Sequence, residues 1–114
     1  MDRTLATDRR SGDERRRKNR NRVAVDIEWE TTFGRRTGTL SDINELGCFV
    51  LTGGFVENDE SVRIHLPLDR DIEVELPGRV VNYVHEIGFA CDFVDLTDSQ
   101  RGFLNKFAGI HNAD

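Results

Sequence analysis

Asp42, Asn44 and Gly47 stand at the spacing D-x-N-x-x-G, one strand pair after an N-terminal run that holds nine of the chain's sixteen basic residues in its first 22 positions. That run supplies Arg3, Arg9, Arg10, Arg15, Arg16, Arg17, Lys18, Arg20 and Arg22. Together these residues can recognise a planar base and a phosphate. A carboxylate accepts from the N1–H and N2–H2 edge of a guanine, a guanidinium forks onto O6 and N7 or stacks on the ring, and further arginines take phosphate oxygens. A carboxamide keeps both a donor and an acceptor, and glycine lets backbone approach closely. Taken alone, the short motif also fits a turn whose Asp and Asn satisfy their own backbone. Coupled to the basic run, it points to an anionic, base-bearing ligand held between two segments.

The charge is divided. Residues 1–22 carry nine basic and four acidic groups, whereas residues 23–114 carry seven basic and seventeen acidic ones, for an overall −5. The arm is therefore the anion-binding part and the body its scaffold. Other chemistries lack their residues. His65, His85 and His111 share no metal-ligand spacing, no serine lies in a nucleophile elbow, and no GxxxxGK[ST] loop occurs, so the chain is read as a non-enzyme without a metal or cofactor. His65 and His85 are expected at exposed or rim positions. Cys48 and Cys91 form no CxxC and are read as small core residues. No apolar run reaches the ~18 residues of a membrane span, and the charged start lacks a signal peptide's apolar region. The expectation is a cytoplasmic protein with no membrane insertion.

The elements that must position these groups are mostly strands. From Val23, the residues Val23, Val25, Ile27, Trp29, Thr31 and Phe33 alternate with polar neighbours, which predicts a strand with one buried face. Residues 34–36 then read as a turn, 37–43 and 48–52 as the second and third strands. Residues 62–66 and 72–76 read as a hairpin closed by 67–71. Pro77-Gly78 is expected to break or bulge the sheet before strands at 79–85 and 87–93. Short strands with tight turns indicate a barrel or a sandwich. Thr97-Asp98-Ser99-Gln100 fits a capping box, and Phe103, Leu104, Phe107 and Ile110 recur at helical spacing, predicting one C-terminal helix laid on the sheet. Val23, Val25, Ile27, Trp29, Phe89, Phe93, Phe103 and Phe107 are assigned to the core. Residues 1–14 read as a disordered tail, 15–22 as a flexible basic arm, 23–94 as the β-domain and 97–111 as the helix.

The strings RVAVDIEW, LSDINELGCFV, GRVVNYV and IGFACDFVDLTDSQRGFLNKF, in this order behind a basic arm, resemble the successive landmarks of the PilZ domain family over residues 15–110. The resemblance implies a mainly β fold: a six- to seven-stranded antiparallel barrel with one C-terminal helix. It also implies a receptor for the second messenger cyclic di-GMP. Carried onto this chain, the family's RxxxR and [D/N]xSxxG motifs give ligand-binding roles to Arg16, Lys18, Arg20 and Arg22 and to Asp42, Asn44 and Gly47. Two departures stand out. The literal RxxxR is Arg16 to Arg20, but the register that abuts the first strand is Lys18 to Arg22, which places Lys where the family has Arg. Asn44 replaces the family's Ser.

Several alternatives follow from the same residues. One is a PilZ adaptor that has lost the ligand and works through protein contacts. A second is a nucleic-acid binder using the arm; its acidic body and lack of a basic stacking platform argue against specific nucleic-acid recognition. A third treats the arm as a solubilising tail. The receptor reading also calls for a downstream protein partner and is compatible with a monomer or weak dimer.

Overall fold

Period-two patterning from the start of the body builds a sheet that closes on itself. The computed structural model describes residues 21–110. Its strands are β1 (Asn21–Thr31), β2 (Gly34–Ile43), β3 (Gly47–Leu51), β4 (Ser61–Asp69), β5 (Ile72–Val84) and β6 (Gly88–Phe93), followed by helix α1 (Asp98–Ile110). Neighbours run β1-β2-β3-β6-β5-β4, and β4 pairs back onto β1 through Glu28↔His65, Trp29↔Ile64 and Glu30↔Arg63. All ladders are antiparallel, and closure leaves no open sheet edge. Because strand direction alternates, the β1–β2, β3–β4 and β5–β6 connections gather at one end of the barrel. The β2–β3 and β4–β5 turns lie at the other, where β1 also begins and β6 ends.

The expectation of seven separate strand runs is corrected to six strands, because residues 72–76 and 79–85 form one strand through Pro77-Gly78. β5 pairs with β4 over its first part and with β6 over its second, and Gly78 sits at the change of partner. A Cβ at Gly78 would stand 3.0 Å from the Cys91 Sγ and 3.1 Å from the Asp92 carbonyl oxygen, so a small residue lets the strands cross closely. Pro77 lacks an N–H, but its carbonyl still accepts from the Val94 N–H at 3.0 Å. Two further corrections concern strand ends. Phe33, placed on the buried face by alternation, is 84% exposed because the chain turns at Thr32 and Phe33 and β2 already begins at Gly34. β1 begins at Asn21, so Arg22 belongs to the barrel and not to the arm alone.

The core is centred on Trp29 and Phe89, both buried and meeting edge to face with ring centroids 5.0 Å apart. The Trp29 indole N–H donates to the Thr37 carbonyl at 3.3 Å, so its polar atom is satisfied. Cys48 and Cys91 are fully buried cross-strand partners with sulfurs 3.7 Å apart. At α1 the capping box closes in both directions: the Gln100 N–H donates to Thr97 Oγ1 at 3.1 Å, and the Thr97 N–H donates to Gln100 Oε1 at 2.7 Å. Leu104, Phe107 and Ala108 are buried, whereas Ile110 is exposed, so the helix stripe ends one turn earlier than its spacing implied.

Candidate functional site

Two bulges create the local geometry at the end where β1 begins. Leu40 and Ile43 of β2 are both fully buried although three residues apart, which simple alternation forbids. The register shift between Leu40 and Asp42 resolves this by inserting Ser41, whose Oγ donates to the Phe49 carbonyl at 3.4 Å. Asp42 is thereby turned off the core face to a half-buried position. β1 carries its own shift between Arg22 and Val25, and beyond it Arg22 pairs with Asp42. Directly opposed residues of an antiparallel pair share a face with Cβ atoms about 5 Å apart. The last barrel arginine before the arm and the motif carboxylate are therefore neighbours.

The turn after Asp42 is held by Asn44. Its backbone N–H donates to the Gly47 carbonyl at 3.0 Å, and its side-chain Oδ1 accepts from the Leu46 N–H at 2.7 Å and the Gly47 N–H at 3.1 Å. Asn44 is only 6% exposed, so its amide oxygen is used inside the fold. Gly47 is demanded by packing: any Cβ there would run into the Cys91 carbonyl oxygen of β6. The Phe93 N–H donates to the Leu46 carbonyl at 2.9 Å, tying the turn to the end of β6. Of the sequence-derived residues, the structure brings Arg22, Asp42, Asn44 and Gly47 to one end of the barrel. Arg16, Lys18 and Arg20, with residues 1–14 and 111, lie outside the described residues.

Sequence reasoning missed Phe49. It pairs with Asp42 on one side and Ala90 on the other, and because Cys48 and Val50 are buried, Phe49 faces outward. A row Arg22–Asp42–Phe49–Ala90 thus crosses four strands on the outer face. Counting period two from the core residues Cys48 and Val50 would have turned Phe49 outward. The pairing with β6 is a tertiary fact with no local signal. A flat, nitrogen-rich ring could rest on this half-buried aromatic wall while its edge meets the carboxylate.

A second polar cluster lies on the outer face of β1, β2, β4 and β5. Arg35 Nε donates to Glu28 Oε1 at 2.7 Å and its Nη2 to Glu73 at 3.0 Å, while Arg63 Nη2 lies 3.0 Å from Glu30 and its Nε 3.6 Å from Glu75. The Arg63 and His65 side chains, in that order, hold the Glu30 carboxyl below its usual range. Donating to the Glu73 and Glu30 carboxylates raises the Arg35 and Arg63 guanidiniums, respectively. His65, expected at a rim, is 5% exposed, with Nε2 at 2.9 Å from Glu30 and Nδ1 at 3.5 Å from Glu73. These carboxylates come from the two strands flanking β4, Glu30 on β1 and Glu73 on β5, and cover the ring. His85, by contrast, is exposed as expected. This cluster closes the barrel seam through paired charges. Among the described residues, no group of three or more His, Cys, Asp or Glu could hold a metal ion, and no helix is long and apolar enough to cross a membrane.

Comparison with protein families matches the PilZ domain model to residues 14–108. The chain belongs to the PilZ family. A search among curated proteins finds no match. Among solved structures, this PilZ chain is similar to the PilZ domain of CeSA from a cellulose-synthesizing bacterium. The TM-score there is 0.63 at 19% identity, covering 80% of this chain and 95% of that one. It is also similar to the Borreliella burgdorferi PlzA protein, solved in complex with c-di-GMP. There the TM-score is 0.59 at 8% identity, covering 91% of this chain and 41% of PlzA. At these identities the likeness is one of fold, and it agrees with the closed six-stranded barrel and single C-terminal helix described above.

Proposed function

We propose that this PilZ protein is a cytoplasmic, non-enzymatic cyclic di-GMP receptor that holds the dinucleotide between its N-terminal arginines and the Asp42 turn. The observation that carries this reading is the pairing of Arg22 with Asp42 across β1 and β2. It starts the arm beside the carboxylate. Arg20, Lys18 and Arg16 are two, four and six residues further back, within roughly 7, 14 and 21 Å of extended chain. Asp42 accepts from a guanine edge, Arg20 and Arg22 contact guanine and phosphate, and Lys18 or Arg16 completes the clamp. Phe49 supplies the wall for the base. Asn44 and Gly47 shape the turn, with the Asn44 amide oxygen spent on the Leu46 and Gly47 N–H groups.

Family membership and the fold shared with PlzA, which was solved with this ligand, support the same reading. Affinity is expected in the micromolar to high nanomolar range and to weaken with salt, because ordering the arm opposes the gain from charged contacts. The ordered arm then forms the surface that a downstream protein reads. Hydrogen exchange over residues 9–22 should slow at saturating ligand, and unchanged exchange would contradict this output step.

One observation favours a second reading, an adaptor that does not bind the dinucleotide: the fold alone accounts for Asn44 and Gly47. Calorimetric titration separates the two. Arg20→Ala and Asp42→Ala should each weaken binding about tenfold or more, since each removes a charged contact of ~1.4 kcal/mol or above. An adaptor shows no heat of binding in any variant.

A further inference from the structure

The end of the barrel away from Asp42 carries the largest exposed aromatic surface among the described residues. Phe33, at the tip of the β1–β2 turn, is 84% exposed, and Phe55, in the β3–β4 connection, is 63% exposed. They line one cavity of about 710 Å³ with Thr31, Arg36 and the rim residues Glu57, Asp59 and Glu60. That volume suits one large side chain and part of its backbone. Turn tips are ordinarily polar, so two phenylalanines on neighbouring connections make an unusual exposed apolar patch.

The rim is prearranged. The Asp59 N–H donates to the Val80 carbonyl at 2.7 Å, the Val80 N–H to the Glu60 carbonyl at 2.9 Å, and the Glu60 N–H to the Glu57 carbonyl at 3.1 Å. Arg79 also donates to the Asp59 carbonyl at 3.0 Å, and Phe55 leans edge-on against Tyr83 with centroids 5.1 Å apart. The backbone of the acidic rim is thus fixed around an aromatic floor, and its three carboxylates outnumber the two nearby cations, Arg36 in the lining and Arg79 at the Asp59 carbonyl.

We infer that the groove between Phe33 and Phe55 docks a partner protein's peptide segment that carries one large apolar side chain flanked by lysine or arginine. Charge complementarity selects this occupant. An anionic lipid surface meets the carboxylate rim with like charge, as does the acidic body of a second copy, and docking of a second copy's basic arm is told apart by its dependence on chain concentration. The groove shares no residue with the Asp42 turn, so docking here does not depend on the dinucleotide.

The test is nuclear magnetic resonance of the full chain without dinucleotide. The probes are short synthetic peptides bearing Leu, Phe or Trp between lysines, and the same peptides with glutamates in place of the lysines. Saturable shifts at the amides of Phe33, Phe55 and Asp59 with a lysine peptide are expected, together with loss of affinity at high salt. Phe33→Ser with Phe55→Ser should weaken binding about tenfold or more with the unfolding midpoint preserved. Glu57→Gln with Asp59→Asn should flatten the salt dependence; Asn tolerates the positive φ of 71° at that position. The proposal is overturned if no peptide gives saturable shifts, if the glutamate peptides bind as well, or if the shifts map to the Asp42 end. It is equally overturned if phosphatidylglycerol vesicles, or raising the concentration of the chain alone, shift the same amides.

Discussion

The two ends of the barrel are built to opposite rules. At the end where β1 begins, three residues of the Asn44–Gly47 turn are fixed by the fold: the Asn44 oxygen by two N–H donors, Gly47 by the Cys91 carbonyl, Leu46 by Phe93. Beside that turn Arg22, Asp42 and Phe49 stand in one row on the outer face. At the far end the backbone is equally well bonded, but two phenylalanines are left on the surface among carboxylates. A polar ligand needs a rigid, prepositioned partner, because buried polar groups left unpaired are costly. An apolar anchor needs only an accessible surface and a rim of suitable charge. The same chain thus carries one end suited to a small charged ligand and one suited to a peptide.

Substitutions at equivalent chemical types should separate the ends. Gly47→Ala is expected to destabilise the protein by about 3 kcal/mol through the Cys91 clash, whereas Gly53→Ala, which meets nothing within 4 Å, should stay within about 0.5 kcal/mol. Urea unfolding measures both. Asn44→Ala should cost about 2 kcal/mol by stranding the Leu46 and Gly47 N–H groups, and Asn44→Asp, which keeps the acceptor, should recover most of it. Phe33→Ser at the far end should leave the urea midpoint unchanged within about 0.5 kcal/mol.

The smallest effect concerns the charged seam between the ends. The Glu30 carboxyl is lowered in the folded state, so its contribution is present above the ordinary value of 4.5 and is lost as pH falls through the lowered one. Glu30→Gln should therefore narrow its stability difference from the parent protein as pH drops through that window. A difference that persists unchanged in acid would remove the charge-based account of the seam.

How far these ends could be read in advance depended on the range of the interaction. The Thr97–Gln100 capping box is local and was legible residue by residue, as was the alternation from Val23 to Thr31. Alternation cannot announce where a strand stops, which is why it carries the buried face one residue pair too far, to Phe33. Pro77-Gly78 carries a strong break signal, but β5 overrides it by changing partners at that point. His65 looked solvent-facing because Glu30 and Glu73, which cover it, are supplied by other strands. The meeting of Arg22 with Asp42 depends on two bulges, each displacing the register by a residue that no local pattern marks. The motif residues were visible in the sequence, but the division of labour among them, with Asp42 outward and Asn44 inward, was not.

The central claim is that the Asp42 end holds the dinucleotide. Calorimetric titration of the full chain with cyclic di-GMP at low and high salt, run beside Asp42→Ala, tests it most directly. Saturable binding that weakens with salt and falls about tenfold or more in Asp42→Ala is the predicted result. Absence of binding to the parent protein, or equal affinity in the variant, would contradict it.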